Sequence, residues 1–231
     1  MAAGEIHVWR LELPAEAGAA NPYRPLLAPA DLARLERLTP AATPSFIASR
    51  AVLRCLLGRY AGRRPAGLTF GVDAAGKPVL EGDFEMHFNL SHSARLALLA
   101  FGVSPLGVDV ERVRPLGRLD ALARRVLAPA EWDVWAGLPA GARLGAFFDQ
   151  WSSKEAVAKA TGGGVGQLLR GVALAARPDG SWGVVALGGR SDEPFAWQVA
   201  RLPAGRGYAA ALAYPAGAWR LRLWRWDDGL L

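Results

Sequence analysis

The sequence predicts a mixed α/β (α+β) protein made of two α/β halves, residues 1–104 and 105–231, and three observations lead there. Apolar residues recur at spacings of three and four in several segments, the period of a helix with one buried face. Short alternating runs bounded by Gly and Pro separate those segments and read as strands. Both kinds occur before and after a break near Ser104. The chain's 231 residues, 52% hydrophobic and 21% charged, suffice for a sizeable core in one large domain or two small ones. No residue-by-residue repeat relates the halves.

In the first half, Ile6 to Leu13 alternates as a strand, and the Ala, Gly and Pro richness of Pro14 to Pro29 reads as a loop. A short helix from Pro29 to Leu38 follows. After a break at Pro40 to Pro44, Phe46 to Leu57 has helical spacing, with Arg50 and Arg54 four apart on an edge that reads as a solvated face. Gly62 to Pro65 ends that helix, and Leu68 to Val72, Met86 to Leu90 and Leu96 to Val103 read as strands. The second half opens on a strand at Gly107. Helical segments at Asp120 to Leu127 and Pro129 to Gly137 lead into a long helix ending at Thr161. Three consecutive glycines in Gly162-Gly163-Gly164-Val165-Gly166, where one would cap the helix, suggest a mobile loop. Strands at Gly171 to Ala176, Trp182 to Leu187, Ala196 to Leu202, Tyr208 to Tyr214 and Trp219 to Trp226 complete the chain. The last, rich in Trp and Arg, could bind nucleic acid but alternates as an ordinary strand with arginine outward.

No apolar run reaches the roughly 18 to 20 residues of a spanning helix, and no basic-then-apolar leader opens the chain, so the expectation is a cytoplasmic protein without a membrane partner. Cys55 stands alone, among Val52, Leu53, Leu56 and Leu57, and reads as a buried structural thiol. The net charge of +6 favours an acidic partner: nucleic acid, a phosphorylated small molecule or an acidic protein.

The chemistry concentrates in two segments. In Gly107-Val108-Asp109-Val110-Glu111, alternation sends Val108 and Val110 into a core and puts Asp109 and Glu111 together on the other face. In the long helix, Leu144, Phe147, Phe148 and Trp151 form an apolar stripe that Glu155 continues, so an acid faces inward. Carboxylates are rarely buried without a partner, and Asp109, Glu111 and Glu155 are best explained if they meet around a hard divalent cation such as Mg²⁺. Of 27 Lys and Arg residues only Lys77, Lys154 and Lys159 are lysine; Lys154 and Lys159 fall in the second of these segments and Lys77 in another motif-like one, Gly76-Lys77-Pro78. Lysine offers a compact point charge suited to phosphate chemistry. A surface ion pair of Glu155 with Lys159 would also explain Lys159, but not an inward Glu155. His92 sits in Phe88-Asn89-Leu90-Ser91-His92-Ser93, where a strand ends in small polar residues and a ligand-binding loop is common. A triad of Ser91, His92 and Asp109 can be drawn, but no Gly-x-Ser-x-Gly elbow accompanies it.

Taken together, Gly76-Lys77-Pro78, the Phe88 to Ser93 segment, Gly107 to Glu111 and Trp151-Ser152-Ser153-Lys154-Glu155-Ala156-Val157-Ala158-Lys159-Ala160 resemble the 4′-phosphopantetheinyl transferases of the long, surfactin-synthetase-activating type. The resemblance runs from His7-Val8-Trp9-Arg10-Leu11 to about Leu174. It implies two similar α/β halves around a pseudo-twofold axis in a monomer, with the active site between them. It also implies an enzyme that moves the phosphopantetheine arm of coenzyme A onto a serine of an acidic acyl or peptidyl carrier protein, releasing adenosine 3′,5′-bisphosphate, as in carrier activation for secondary metabolism. Asp109, Glu111 and Glu155 would hold Mg²⁺, and Lys159 would stabilise the pyrophosphate. Glu155 would help remove the serine proton, directly or through water. Ser91 and His92 would contact phosphate, with Lys77 and Arg50 near the nucleotide and its 3′-phosphate. One departure is Thr39-Pro40-Ala41-Ala42-Thr43-Pro44-Ser45, where such enzymes carry further basic residues. Two other functions remain open from the residues alone. A metal-dependent nuclease would use similar acids, but Glu111 is followed by Arg112 and Val113 rather than a Glu-x-Lys signature. A non-catalytic nucleic-acid-binding module fits the charge and leaves the inward Glu155 unexplained.

Overall fold

Proline and glycine set the helix limits. In the computed structural model, which describes residues 1, 4–16, 18–74, 76–82, 84–162, 171–177, 182–187 and 196–227, prolines stand in the first turns of α1 (Pro29–Leu35), α2 (Thr43–Ala61) and α4 (Pro129–Ala136). A missing N–H costs nothing there. The two long helices, α2 and α5 (Ala140–Thr161), stop at Gly62 and Gly162, whose φ of 65° and 73° is the left-handed capping conformation.

Around these helices lie β1 (Glu5–Glu12), the hairpin β2 (Phe70–Val72) and β3 (Pro78–Leu80), β4 (His87–Ser93) and β5 (Leu96–Gly102). The second half contributes β6 (Gly107–Arg112), α3 (Leu119–Val126), β7 (Ala173–Ala176), β8 (Trp182–Ala186), β9 (Trp197–Arg201), β10 (Tyr208–Pro215) and β11 (Arg220–Arg225). The main sheets have the orders β11-β1-β5-β4 and β6-β10-β9-β8-β7. Connectivity recurs between them. In each half the first strand pairs antiparallel with β5 or β10, which pairs in turn with the strand just before it, β4 or β9. β11 breaks the correspondence by crossing back to pair in parallel with β1.

Each half buries its long helix on its own sheet. Leu53, Leu56 and Leu57 of α2 pack with Leu99 and Phe101 of β5, and Ala156, Val157 and Ala160 of α5 pack with Val199, Ala211 and Ala213. Ile6, Val8, Leu98, Val108, Val110 and Leu212 form a third cluster joining the halves. The protein is therefore mixed α/β with two similar halves.

Several local expectations change. The loop from Pro14 contains a 3-10 helix, Gly18–Leu26, in which Pro22 and Pro25 fix φ. The strand expected to end at Leu90 runs on to Ser93, so Ser91 and His92 stand inside a strand and not in a terminal loop. The extension pairs with β5 at Leu98, Ala97 and Leu96, and on its other side Ser91 and Ser93, like Asn89 before them, accept backbone N–H groups of β6. Arg54 is not on a solvated face. It is 2% exposed, with its guanidinium on Asp31 of α1 at 2.5 Å and on the carbonyls of Pro65 and Leu68. The terminal Trp and Arg segment is a strand, with Arg222 on Glu5 and Arg225 on Glu12. Cys55 is buried. Residues 163–166 of the glycine-rich loop lie outside the described residues.

Candidate active site

β6 crosses α5 at backbone contact, and Gly107 makes that possible. A Cβ there would lie 2.2 Å from the Ala156 carbonyl oxygen and 2.4 Å from the Ala160 nitrogen. A glycine inside a strand often marks such an approach. With Val108 and Val110 buried beneath, the alternation of β6 presents Asp109 and Glu111 together, and Glu155 and Lys159 rise to them from the same face of α5.

The Lys159 Nζ is 2.6 Å from Asp109 Oδ1, 2.9 Å from the Ser91 hydroxyl and 3.4 Å from the Val108 carbonyl. Ser91 donates to Asp109 Oδ1 at 2.8 Å, and Ser93 donates to Glu111 Oε2 at 3.0 Å. Asp109 is 3% exposed and Glu155 is 6% exposed. Burial, reinforced by the charge of Asp109 and opposed by Lys159, pushes Glu155 up to about 7. Burial also raises Glu111, against the hydrogen bond from Ser93 and with the repulsion of Asp109. The site sits at the junction of the halves, since β4 supplies the serines while β6 and α5 supply the acids and lysine.

Among the described residues no three His, Cys, Asp or Glu side chains stand gathered for a metal ion. The three acids are neighbours and not a closed cage. Their chemistry nevertheless fits a hard cation, because all donors are oxygen and two buried oxygens, Asp109 Oδ2 and Glu155 Oε1, have no hydrogen-bond partner. A divalent cation would satisfy both and relieve the repulsion that raises Glu155.

His92 follows Ser91 in β4 and therefore points to the opposite face, so no Ser91-His92-Asp109 triad forms. It lines a cavity of about 330 Å³ together with Asp31, Arg34, Phe46, Arg50 and Asn89. The cleft walls and the Lys159 charge hold His92 below its ordinary value. Arg50 donates to Asp31 at 2.7 Å and lies 4.4 Å above the Phe70 ring. Lys77 donates to the Leu106 carbonyl at 2.7 Å, and burial lowers its pKa. Lys154 is wholly buried, on Glu131 at 2.7 Å and on the carbonyls of Val126 and Val172, and so works in the packing of the second half.

Asp31, Arg34 and Ser93 are the residues of this region that sequence reasoning did not select. Asp31 carried one signal, an acid three residues after Ala28 at a helix start, where it accepts the Ala28 N–H at 3.2 Å. Ser93 carried another, its alternation with Asn89 and Ser91.

A profile of the 4′-phosphopantetheinyl transferase superfamily matches residues 105–213. The 4′-phosphopantetheinyl transferase HetI of Nostoc sp. strain PCC 7120 is 32% identical over 227 residues, 96% of this chain and 92% of that protein. A 4′-phosphopantetheinyl transferase of Bacillus subtilis is 33% identical over 129 residues, 56% of this chain and 57% of the relative. The 4′-phosphopantetheinyl transferase Sfp of Bacillus subtilis strain 168 is 26% identical over 129 residues, with the same 56% and 57% coverage.

Proposed function

The chain belongs to the 4′-phosphopantetheinyl transferase superfamily, and from that premise we propose how its residues carry the reaction. It transfers the 4′-phosphopantetheine group of coenzyme A to a serine of an apo acyl or peptidyl carrier protein and releases adenosine 3′,5′-bisphosphate. The serine oxygen bonds to the β-phosphorus as the bond to the adenosine bisphosphate breaks, and the serine proton leaves to Glu155. Glu155 Oε1 is the oxygen assigned to the cation, so the proton passes to the other carboxylate oxygen or through water. Asp109, Glu111 and Glu155 hold Mg²⁺, which when bound supplies charge stabilisation at the phosphoryl oxygens. Lys159 adds a fixed cation beside them.

The cavity lined by Arg34, Arg50 and His92 takes the nucleotide end of coenzyme A, with Lys77 next to the lining residue Pro78. His92 contacts phosphate from the cavity side of β4. Ser91 does so from the acid side, where its hydroxyl already joins Lys159. Arg34 offers a cation toward the 3′-phosphate that the segment from Thr39 to Ser45 does not provide. With a net charge of +6, the partner is an acidic carrier protein and not nucleic acid. The enzyme acts as a cytoplasmic monomer. Among the described residues no helix is long and apolar enough to cross a membrane.

The observation that carries this reading is the convergence of Asp109, Glu155 and Lys159, with two orphaned acid oxygens, beside a cavity that Arg34, Arg50 and His92 line together with Asp31 and apolar residues. Its test is the intact mass of apo carrier proteins after incubation with the enzyme, coenzyme A and Mg²⁺. A gain of roughly 340 Da that a chelator abolishes is expected for a metal-assisted transfer. A gain that survives chelation would remove Mg²⁺ from the reading.

A further inference from the structure

The facing edges of the two sheets, β4 and β6, are not neighbours in any backbone ladder. The N–H groups of Val108, Val110 and Arg112 turn instead to side chains of β4: Asn89 Oδ1 at 2.9 Å, Ser91 Oγ at 3.4 Å and Ser93 Oγ at 3.0 Å. Each rung advances two residues on both strands, so side chains on one face of β4 stay in register with β6.

At two rungs the hydroxyl also reaches onward. Ser91 donates to Asp109 at 2.8 Å and Ser93 donates to Glu111 at 3.0 Å. Each serine thus accepts the N–H of one β6 residue and donates to the carboxylate of the residue before it. The Asn89 rung has no acid, because the residue before Val108 is Gly107, where α5 leaves no room for a side chain.

We propose that Ser93 is a positioning residue that holds Glu111 beside Asp109. Two carboxylates on one strand face repel each other, and Glu111, on the edge of the site, has rotamer freedom to swing toward water. Ser93 supplies the one hydrogen bond that Glu111 receives among the described residues. It keeps the carboxylate where it can share a cation with Asp109 and Glu155. Ser91 is less separable, since its hydroxyl also takes a hydrogen bond from Lys159. A residue of the first half thereby sets the cation affinity of acids in the second. This inference rests on the metal assignment made above.

The test is Mn²⁺ binding, followed by electron paramagnetic resonance with coenzyme A present and carrier absent, in wild type, Ser93→Ala and Ser93→Thr. Removing a hydrogen bond to a metal-ligating carboxylate typically weakens metal affinity by about 10- to 100-fold. Ser93→Ala is expected to lose affinity on that scale and to raise the Mg²⁺ requirement of transfer in parallel. Ser93→Thr, which keeps the hydroxyl, retains both. In a Glu111→Gln background the Ser93→Ala change should cost nothing further. Wild-type Mn²⁺ affinity in Ser93→Ala, with only a lower melting temperature, would overturn the inference and leave Ser93 as a rung of the junction. Additive losses with Glu111→Gln would overturn it too. A wild-type enzyme that binds no Mn²⁺ would instead overturn the metal assignment itself, and the inference with it.

Discussion

Adding one methyl group at Gly107 should disable the enzyme without touching any reacting group. The Cβ of Gly107→Ala would lie 2.2 Å from the Ala156 oxygen, 2.4 Å from the Ala160 nitrogen and 2.9 Å from the Lys159 carbonyl carbon. Non-bonded heavy atoms settle near 3.5 Å, so β6 and α5 must part by about 1 Å. All three contacts are backbone, and no side-chain rotation can relieve them. Glu155 and Lys159 sit on the same turns of α5 as those atoms, so both retreat from Asp109, and the 2.6 Å contact of Lys159 is lost. Misplacement by about 1 Å costs on the order of 100-fold in rate. Overpacking adds about 1–3 kcal/mol of destabilisation, read as a few degrees in Tm. The assay is kcat/KM for transfer to an apo carrier, alongside thermal unfolding. Gly145→Ala on the same helix is the control. It meets nothing within 4 Å and should raise stability by about 0.4–1 kcal/mol with the rate unchanged. A Gly107→Ala enzyme that is less stable but equally fast would refute the claim that this crossing places the reacting side chains.

Other outcomes follow from the buried charges. Lys154→Met removes the partner of Glu131 from a site where the lysine is fully buried, so unfolding should be easier by about 3–5 kcal/mol, measured by denaturant titration. For Asp31, burial acts to raise the carboxyl, but the hydrogen bonds and charges of Arg50 and Arg54 outweigh it and hold it below the ordinary range. Its stabilisation is therefore fully present above the unfolded value of about 3.9 and is lost as pH falls through the lowered native one. Acid unfolding of Asp31→Asn should lack that component, and an unchanged pH profile would contradict the assignment. Arg54→Met should be among the least stable variants, because it strips Asp31 of a buried partner and frees the carbonyls of Pro65 and Leu68. A melting temperature equal to wild type would show that the buried guanidinium contributes nothing.

The acids were legible because period alone decides them. Alternation put Asp109 and Glu111 on one face of β6, and a helical stripe turned Glu155 inward, both without knowledge of partners. Lys154 and Lys159 looked alike as rare lysines in one motif. Their separation is azimuthal: Lys159 shares the face of Glu155, whereas Lys154, one residue earlier, points to Glu131 on α4, a contact local spacing does not reveal. Arg54 was misjudged for the same reason, since a basic helix edge looks solvated until Asp31 of another helix closes on it. The alternation of β11 was visible, but not its return to β1, because pairing across more than 200 residues leaves no local mark. The serine rungs were hidden likewise, as small polar residues at the end of an apolar strand resemble a loop until the edge of β6 lies beside them.

The most direct test of the account is transfer by Glu155→Gln, followed as carrier intact mass, with thermal unfolding measured on the same preparation. The substitution keeps size and shape while removing an acid that lies among Asp109, Glu111 and Lys159. The account predicts a folded enzyme, with a melting temperature near or above wild type, that leaves the carrier unmodified. A Glu155→Gln enzyme that still loads the carrier in a Mg²⁺-dependent way would contradict it, because neither the metal site nor the base could then depend on Glu155.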